Sequence, residues 1–249
     1  MIKARGISKI YGEVAAVADI DLALAHGQIL GFVGTNGSGR TTLLRILATQ
    51  LKPTSGQIEI DGIDALKHPF RARPKIGYIA QSQSFYDSMT VGEFLKFVAA
   101  CQNERRDKSS LLAEQPFEGL SAEMPLRSLS HGSRQKLALT AILIHKPSLL
   151  VLDEPLNHLD PIATRQFQSL AKNFQAQGGT IVMACNRTEE IPALCDEVAF
   201  MHRGKILETI KLAGLRINIS EVFAELIKRH GAEQVPASVG VSGISDKKS

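Results

Sequence analysis

The spacing of apolar positions changes several times along the chain, and each change marks an element. From Ile2 to Leu30 the apolar residues alternate in short pieces, IKARGIS and then AVADIDLAL, which predicts two antiparallel strands leading into a third. The third is the unbroken apolar run from Ile29 to Val33; it stops at Gly34, turn-prone residues follow, and an amphipathic helical pattern starts at Arg40. PTSGQIEIDG then reads as a turn and a short strand, and KIGYIAQ as another strand ending at Gln81. From Thr90 to about Ala113 the spacing is helical, with Thr90 as N-cap, and a second helix capped by Ser130 runs to about His145. Leu149 to Leu152 is apolar at every position, as suits a parallel strand buried on both faces. EVAFMHRGKILETIK predicts a closing hairpin through Arg203 and Gly204, and SEVFAELIKRHG a capped amphipathic helix that packs on its own domain. The whole is an α/β pattern: a mostly parallel sheet, an N-terminal antiparallel β subdomain, and a helical subdomain inserted at about 90–146.

Composition narrows this picture without changing it. At 249 residues and 44% hydrophobic content the chain can bury one large α/β core. The net charge of +4 comes from 29 basic and 25 acidic residues mixed along the sequence, so there is no basic arm, and no nucleic-acid partner is expected. An anionic ligand or a membrane surface suits this balance. No apolar run approaches the ~18 residues that span a bilayer, and MIKARGISK lacks the apolar centre of a signal peptide, so the expected location is the cytosolic side. Cys101, Cys185 and Cys195 are odd in number and lack paired metal spacing; they read as reduced thiols without chemistry. From Ala232 onward the sequence VPASVGVSGISDKKS is expected to be a disordered tail, so the division is 1–214 for the main domain and 215–249 for the helix and tail.

The candidate chemistry centres on Gly34, Thr35, Asn36, Gly37, Ser38, Gly39, Arg40, Thr41 and Thr42. Glycines let a loop turn its backbone N–H groups inward on an anion, and the following helix N-terminus adds partial positive charge. The phosphate-loop pattern G-x-x-x-x-G-K-[ST] is matched except that Arg40 stands where lysine is expected. Asp153 and Glu154 close the apolar run at 149–152; adjacent acids there are costly unless they meet a cation or hydrogen bonds, although acids can also start the next helix. In phosphoryl transfer the first such acid holds Mg²⁺ through water and the second orients or deprotonates the attacking water. Gln81, at a strand's carboxyl edge, is either a solvated loop residue or one that reaches the metal or water. Tyr11 is either a half-exposed turn residue or a face on which an adenine stacks.

Taken in order, Tyr11, GTNGSGRTT, Gln81, LSHGS (129–133), LLVLDEP (149–155) and NHLD (157–160) resemble the ATP-binding cassette of ABC transporters, over most of the chain from Ile2 to Lys211. The resemblance implies a phosphate-loop NTPase core that binds ATP and Mg²⁺. It implies that Tyr11 stacks on adenine, that the loop wraps the phosphates, and that Thr41, Gln81 and Asp153 serve the metal. Glu154 is then the catalytic acid, and Ser130, Gly132 and Asp160 join the nucleotide-binding residues. It further implies separate integral-membrane subunits, a second nucleotide-binding subunit meeting this one head to tail, and a peripheral position on the cytoplasmic face of the membrane. The FYDSMTVGEFLKF stretch (85–97) looks most like export-type cassettes.

Three positions depart from the family pattern. Arg40 is a larger planar fork than lysine. His131 stands in LSHGS where the family has glycine. TIVMACN (180–186) resembles the strand that ends in a histidine near the γ-phosphate, and here Asn186 takes that catalytic position; it can donate a hydrogen bond but not take up a proton. These departures predict slow hydrolysis, with Arg40→Lys expected to raise it. The alternative reading is a nucleotide-sensing regulatory cassette with no transport role. An unrelated phosphate-loop kinase or GTPase leaves the LSHGS helix without a job.

Overall fold

The computed structural model describes residues 1–102, 110, 115–215 and 217–232. Strands β1 (Ile2–Tyr11), β2 (Val14–Leu24), β4 (Ser55–Ile60) and β5 (Ile63–Asp64) form an antiparallel sheet in the order β2-β1-β4-β5. The second sheet contains β3 (Ile29–Gly34), β6 (Ile76–Ile79), β7 (Leu149–Asp153), β8 (Thr180–Ala184), β9 (Glu197–His202) and β10 (Lys205–Lys211). Its order is β10-β9-β3-β8-β7-β6, parallel throughout except for the closing hairpin of β9 with β10. This is the α/β architecture that the apolar pattern predicts.

Alternation along the central strands divides the core into two. Leu30 and Phe32 of β3, with Leu149 and Val151 of β7, pack toward helix α1 (Arg40–Leu47) and the antiparallel sheet. Ile29, Val33, Leu150 and Leu152 face the other way, toward the helices that follow. Every residue of β7 and β8 is buried, so each face of the sheet needs a layer over it.

The remaining helices are α2 (Pro69–Ala72), α3 (Val91–Cys101), α4 (His131–Leu143), α5 (Pro161–Ala176), α6 (Ile191–Leu194) and α7 (Ile219–Ala232). Thr90 caps α3 through a reciprocal pair: its hydroxyl accepts from the Glu93 N–H, and its own N–H donates to the Glu93 carboxylate at 2.9 Å. Helix α3 ends at Cys101, short of Ala113; most of the predicted continuation lies outside the described residues. Helix α4 stops at Leu143 because the chain turns at Lys146, which takes a φ of 52°, and Pro147 follows. Val91, Leu95 and Ala99 of α3 and Leu137 and Ala141 of α4 form a third, smaller apolar cluster with Leu120, Leu126 and Leu129. Helix α7 lies on the main core as expected: Ile219 and Leu226 are buried, and Phe223 stacks on Phe200 with ring centroids 5.8 Å apart. The predicted tail lies outside the described residues beyond 232. Among the described residues no helix is long and apolar enough to cross a membrane.

Candidate active site

Strand β3 delivers the glycine loop to the carboxyl edge of the parallel sheet, beside the ends of β7 and β8. There the loop residues 35–42 line a cavity of about 370 Å³ together with Ala16, Gln81, Asp153, Glu154 and Asn186. The loop's shape is held from within and from outside: the Ser38 N–H donates to the Thr35 carbonyl at 3.0 Å, and the Ser38 carbonyl accepts from the Gly204 N–H at 2.9 Å. Gly39 takes a φ of 102° immediately before α1, and a methyl there would run into the Ala16 carbonyl. Gly39→Ala is therefore expected to weaken nucleotide binding by about tenfold or more, measurable by calorimetry; unchanged affinity would mean that the loop's backbone conformation is not what holds the ligand.

Around the cavity the structure assembles a closed polar ring. Arg40 and Glu154 are only 8% and 5% exposed, so neither charge is at home without a partner. The Arg40 Nη2 lies 3.5 Å from Glu154 Oε1 and donates to Asn186 Oδ1 at 2.9 Å. The Asn186 N–H closes the ring on Glu154 Oε2 at 2.9 Å. Glu154 itself sits in the left-handed region at φ 55°, a conformation that costs a non-glycine residue about 1–3 kcal/mol and recurs at functional positions. Burial pushes its carboxyl up from the ordinary value, against the pull of the Asn186 N–H and of Arg40, while the neighbouring Asp153 adds to the rise. Burial likewise raises Asp153, opposed by the Thr41 hydroxyl that donates to it and by Arg40.

Three buried side-chain atoms at this cavity lack a hydrogen-bond partner among the described residues: Ser38 Oγ, Arg40 Nη1 and Asp153 Oδ2. One is a cationic donor, one a carboxylate acceptor and one a hydroxyl. A buried polar group left unpaired is expensive, so three on one cavity mark the place of a ligand that accepts from a cation and carries or brings a cation of its own. A polyphosphate with a divalent ion has that chemistry.

Sequence expectation and structure differ at the edges of the site. Tyr11 does not line the cavity; it is 47% exposed on the β1–β2 hairpin, with the Lys9 ammonium 5.3 Å from its ring centre. Ser130, Gly132 and Asp160 also lie away from it. Ser130 caps α4, accepting from the Ser133 N–H at 3.1 Å, and Asp160 caps α5, accepting from the Ala163 N–H at 2.8 Å. The His131 ring stands 5.2 Å from that of His158, and a methyl at Gly132 would approach the His158 carbonyl to 2.7 Å. Two features were not anticipated: Ala16 as a wall of the cavity, and the bond between Arg40 and Asn186, which are far apart in the chain. Cys185 and Cys195 are buried, the former thiol pushed up to about 12, which fits their reading as inert.

The sequence model of the ABC transporter family matches residues 17–157, from β2 to just beyond the paired acids. The chain belongs to the ABC transporter family. This ABC cassette is 32% identical to the ABC transporter ATP-binding protein NatA of Bacillus subtilis (strain 168), over 78% of this chain and 81% of that protein. It is 34% identical to the bacitracin transport ATP-binding protein BcrA of Bacillus licheniformis, over 87% of this chain and 71% of the relative. Among solved structures its fold is similar to that of the dimeric ATP-binding cassette MJ0796 bound to ADP and Pi. The TM-score is 0.78 at 23% identity, covering 86% of this chain and 100% of that one. The cassette fold accounts for the antiparallel sheet beside the loop, since Ala16 of β2 shapes Gly39.

Proposed function

We propose that this cassette is the ATP-binding subunit of an export-type transporter, held at the cytoplasmic face of a membrane by separate spanning subunits and pairing with a second cassette. The observation that carries the nucleotide reading is the set of unpartnered atoms of Ser38, Arg40 and Asp153 on one loop-lined cavity. Bound ATP with Mg²⁺ supplies the anhydride bond and a cation that screens its charge. The loop amides and the N-terminus of α1 hold the phosphates, and the Thr41 hydroxyl, the Gln81 amide oxygen and Asp153 serve the metal. Glu154, its carboxyl raised by burial, accepts a proton from water at Oε1 or Oε2. The Arg40 contact opposes that role by stabilising the carboxylate, which with His131 and Asn186 supports slow turnover.

The resemblance in motif order supports the view that Ser130, Gly132 and Asp160, which lie away from this chain's cavity, serve the nucleotide of a partner cassette, and that Tyr11 faces adenine. A membrane partner is supported by the relatives' printed transport roles and by a groove of about 510 Å³ between the third apolar cluster and the sheet, lined in part by Tyr78, Phe85, Phe94, Val98 and Ile142. The Tyr86 and Phe97 rings, each next in the chain to a lining residue, are 61% and 43% exposed and meet edge to face at 6.2 Å. Purification of the full chain from detergent-solubilised membranes is expected to recover an integral-membrane protein in fixed ratio. Recovery with ribosomes or nucleic acid instead would overturn the transporter reading in favour of a regulatory cassette, and failure to bind ATP with magnesium at millimolar levels would overturn both.

A further inference from the structure

Arg40 and Asn186 look in sequence like two separate losses; in the structure they hold one another. A guanidinium has only donors, so the amide oxygen of Asn186 must be the atom facing it, which fixes the orientation of the amide and turns its nitrogen away from the arginine. The same Nη2 that donates to Asn186 also lies against Glu154, while Nη1, buried, has no partner among the described residues. Arginine can divide its two edges in this way because its fork is rigid and planar.

We propose that Arg40 and Asn186 form a single positioning unit, in which the Asn186 amide oxygen anchors the guanidinium beside Glu154 so that the free Nη1 edge is presented to the terminal phosphate of a nucleoside triphosphate. The unit deepens the nucleotide-binding reading above and rests on it. It makes the two residues specific for the triphosphate over the diphosphate, because the guanidinium that carries Nη1 is held beside the acid that acts at the terminal phosphate. The structural reason for the pairing is the length of arginine: without an acceptor at 186 the guanidinium would be left with only Glu154 to hold it, and a carboxylate alone would draw it onto the catalytic oxygen. Asn186 thus shares the load on Nη2 and keeps the Glu154 carboxylate oriented through its own N–H. It also follows that Arg40→Lys gives up the separate donor edge, since a lysine ammonium cannot satisfy Asn186 and Glu154 and still offer one.

The test is a double-mutant cycle on the full chain with Arg40→Lys, Asn186→Ala and the combination, reading calorimetric affinity for ATP and for ADP and the melting temperature of the nucleotide-free protein. Each single change is expected to weaken ATP binding by about tenfold and ADP binding by much less, as loss of a hydrogen bond to a charged group implies. The double variant is expected to lose no more than the weaker single, because the two changes remove one shared interaction. Multiplying losses in the double variant, or equal losses for ATP and ADP, would overturn the inference. Should the unaltered chain bind neither nucleotide, the nucleotide reading itself fails; should it bind both while the cycle is additive, only the positioning unit fails. Asn186 is exposed, so its truncation leaves the fold intact and keeps the cycle readable.

Discussion

Glu154→Gln is expected to lower ATP turnover by about 10²–10⁴-fold, the span that a positioned general base contributes, and to leave ATP binding intact or slightly tighter. Glutamine keeps an oxygen that can accept from the Asn186 N–H at the 2.9 Å position, so that link of the ring survives the change. What disappears is the basic carboxylate and its charge toward Arg40 at 3.5 Å. Removing that charge releases the guanidinium for the nucleotide's phosphates, which is why affinity does not fall with rate. Single-turnover kinetics separates the two effects. Undiminished turnover would mean that the proton is taken elsewhere, and a parallel loss of affinity would mean that Glu154 holds the ligand instead of acting on water.

Asp153→Asn is expected to reduce magnesium-supported turnover by about 10²-fold or more and at the same time to stabilise the nucleotide-free protein at neutral pH. The two effects share one cause. Asp153 is 2% exposed, and burial raises its carboxyl above the ordinary range, as it does for Glu154. A carboxyl whose native value is raised stabilises the fold in its protonated form. That contribution is fully present below the unfolded value near pH 4 and is lost as the pH rises through the raised native value. At pH 7 the empty chain therefore carries two buried carboxylates at a cost, relieved when a cation arrives. Asparagine accepts the Thr41 hydroxyl without the charge, so the variant should melt higher by about 2–4 °C per ~1 kcal/mol relieved. The gap should close as both proteins approach pH 4. A variant that melts lower at pH 7, or a gap that widens on acidification, would refute this account.

Much of the site was legible because its chemistry is local. The loop at 34–42 announces itself by glycines whose backbone needs no side chain, and the acids at 153 and 154 by standing at the end of four buried apolar residues. The sheet was legible from β7 for the same reason; α5 was not among the expected elements, although Ala163, Phe167, Leu170 and Ala171 recur at helical spacing and are all buried. Elements of four residues such as α2 and α6 barely exceed one helical turn and leave no such trace. What sequence could not give was neighbourhood. Strand β3 pairs with β8, and that pairing alone brings Arg40, just past one strand, against Asn186, just past the other. The capping of α5 by Asp160 shows the opposite limit: resemblance assigns the residue to nucleotide, while elementary helix chemistry already gave aspartate before Pro161 a sufficient reason to be there.

Between the third apolar cluster and the paired acids runs one further chain of amides. The Gln83 side chain donates to the Gln135 oxygen at 2.8 Å, and the Gln135 nitrogen donates to the Pro155 carbonyl at 2.9 Å, next to Glu154. Gln135 is 3% exposed and rides on α4. A glutamine amide has one oxygen and one nitrogen, and the Pro155 carbonyl can only accept, so this relay has a fixed polarity. A tilt of α4 relative to the sheet therefore pulls, through Gln135, on the peptide beside Glu154.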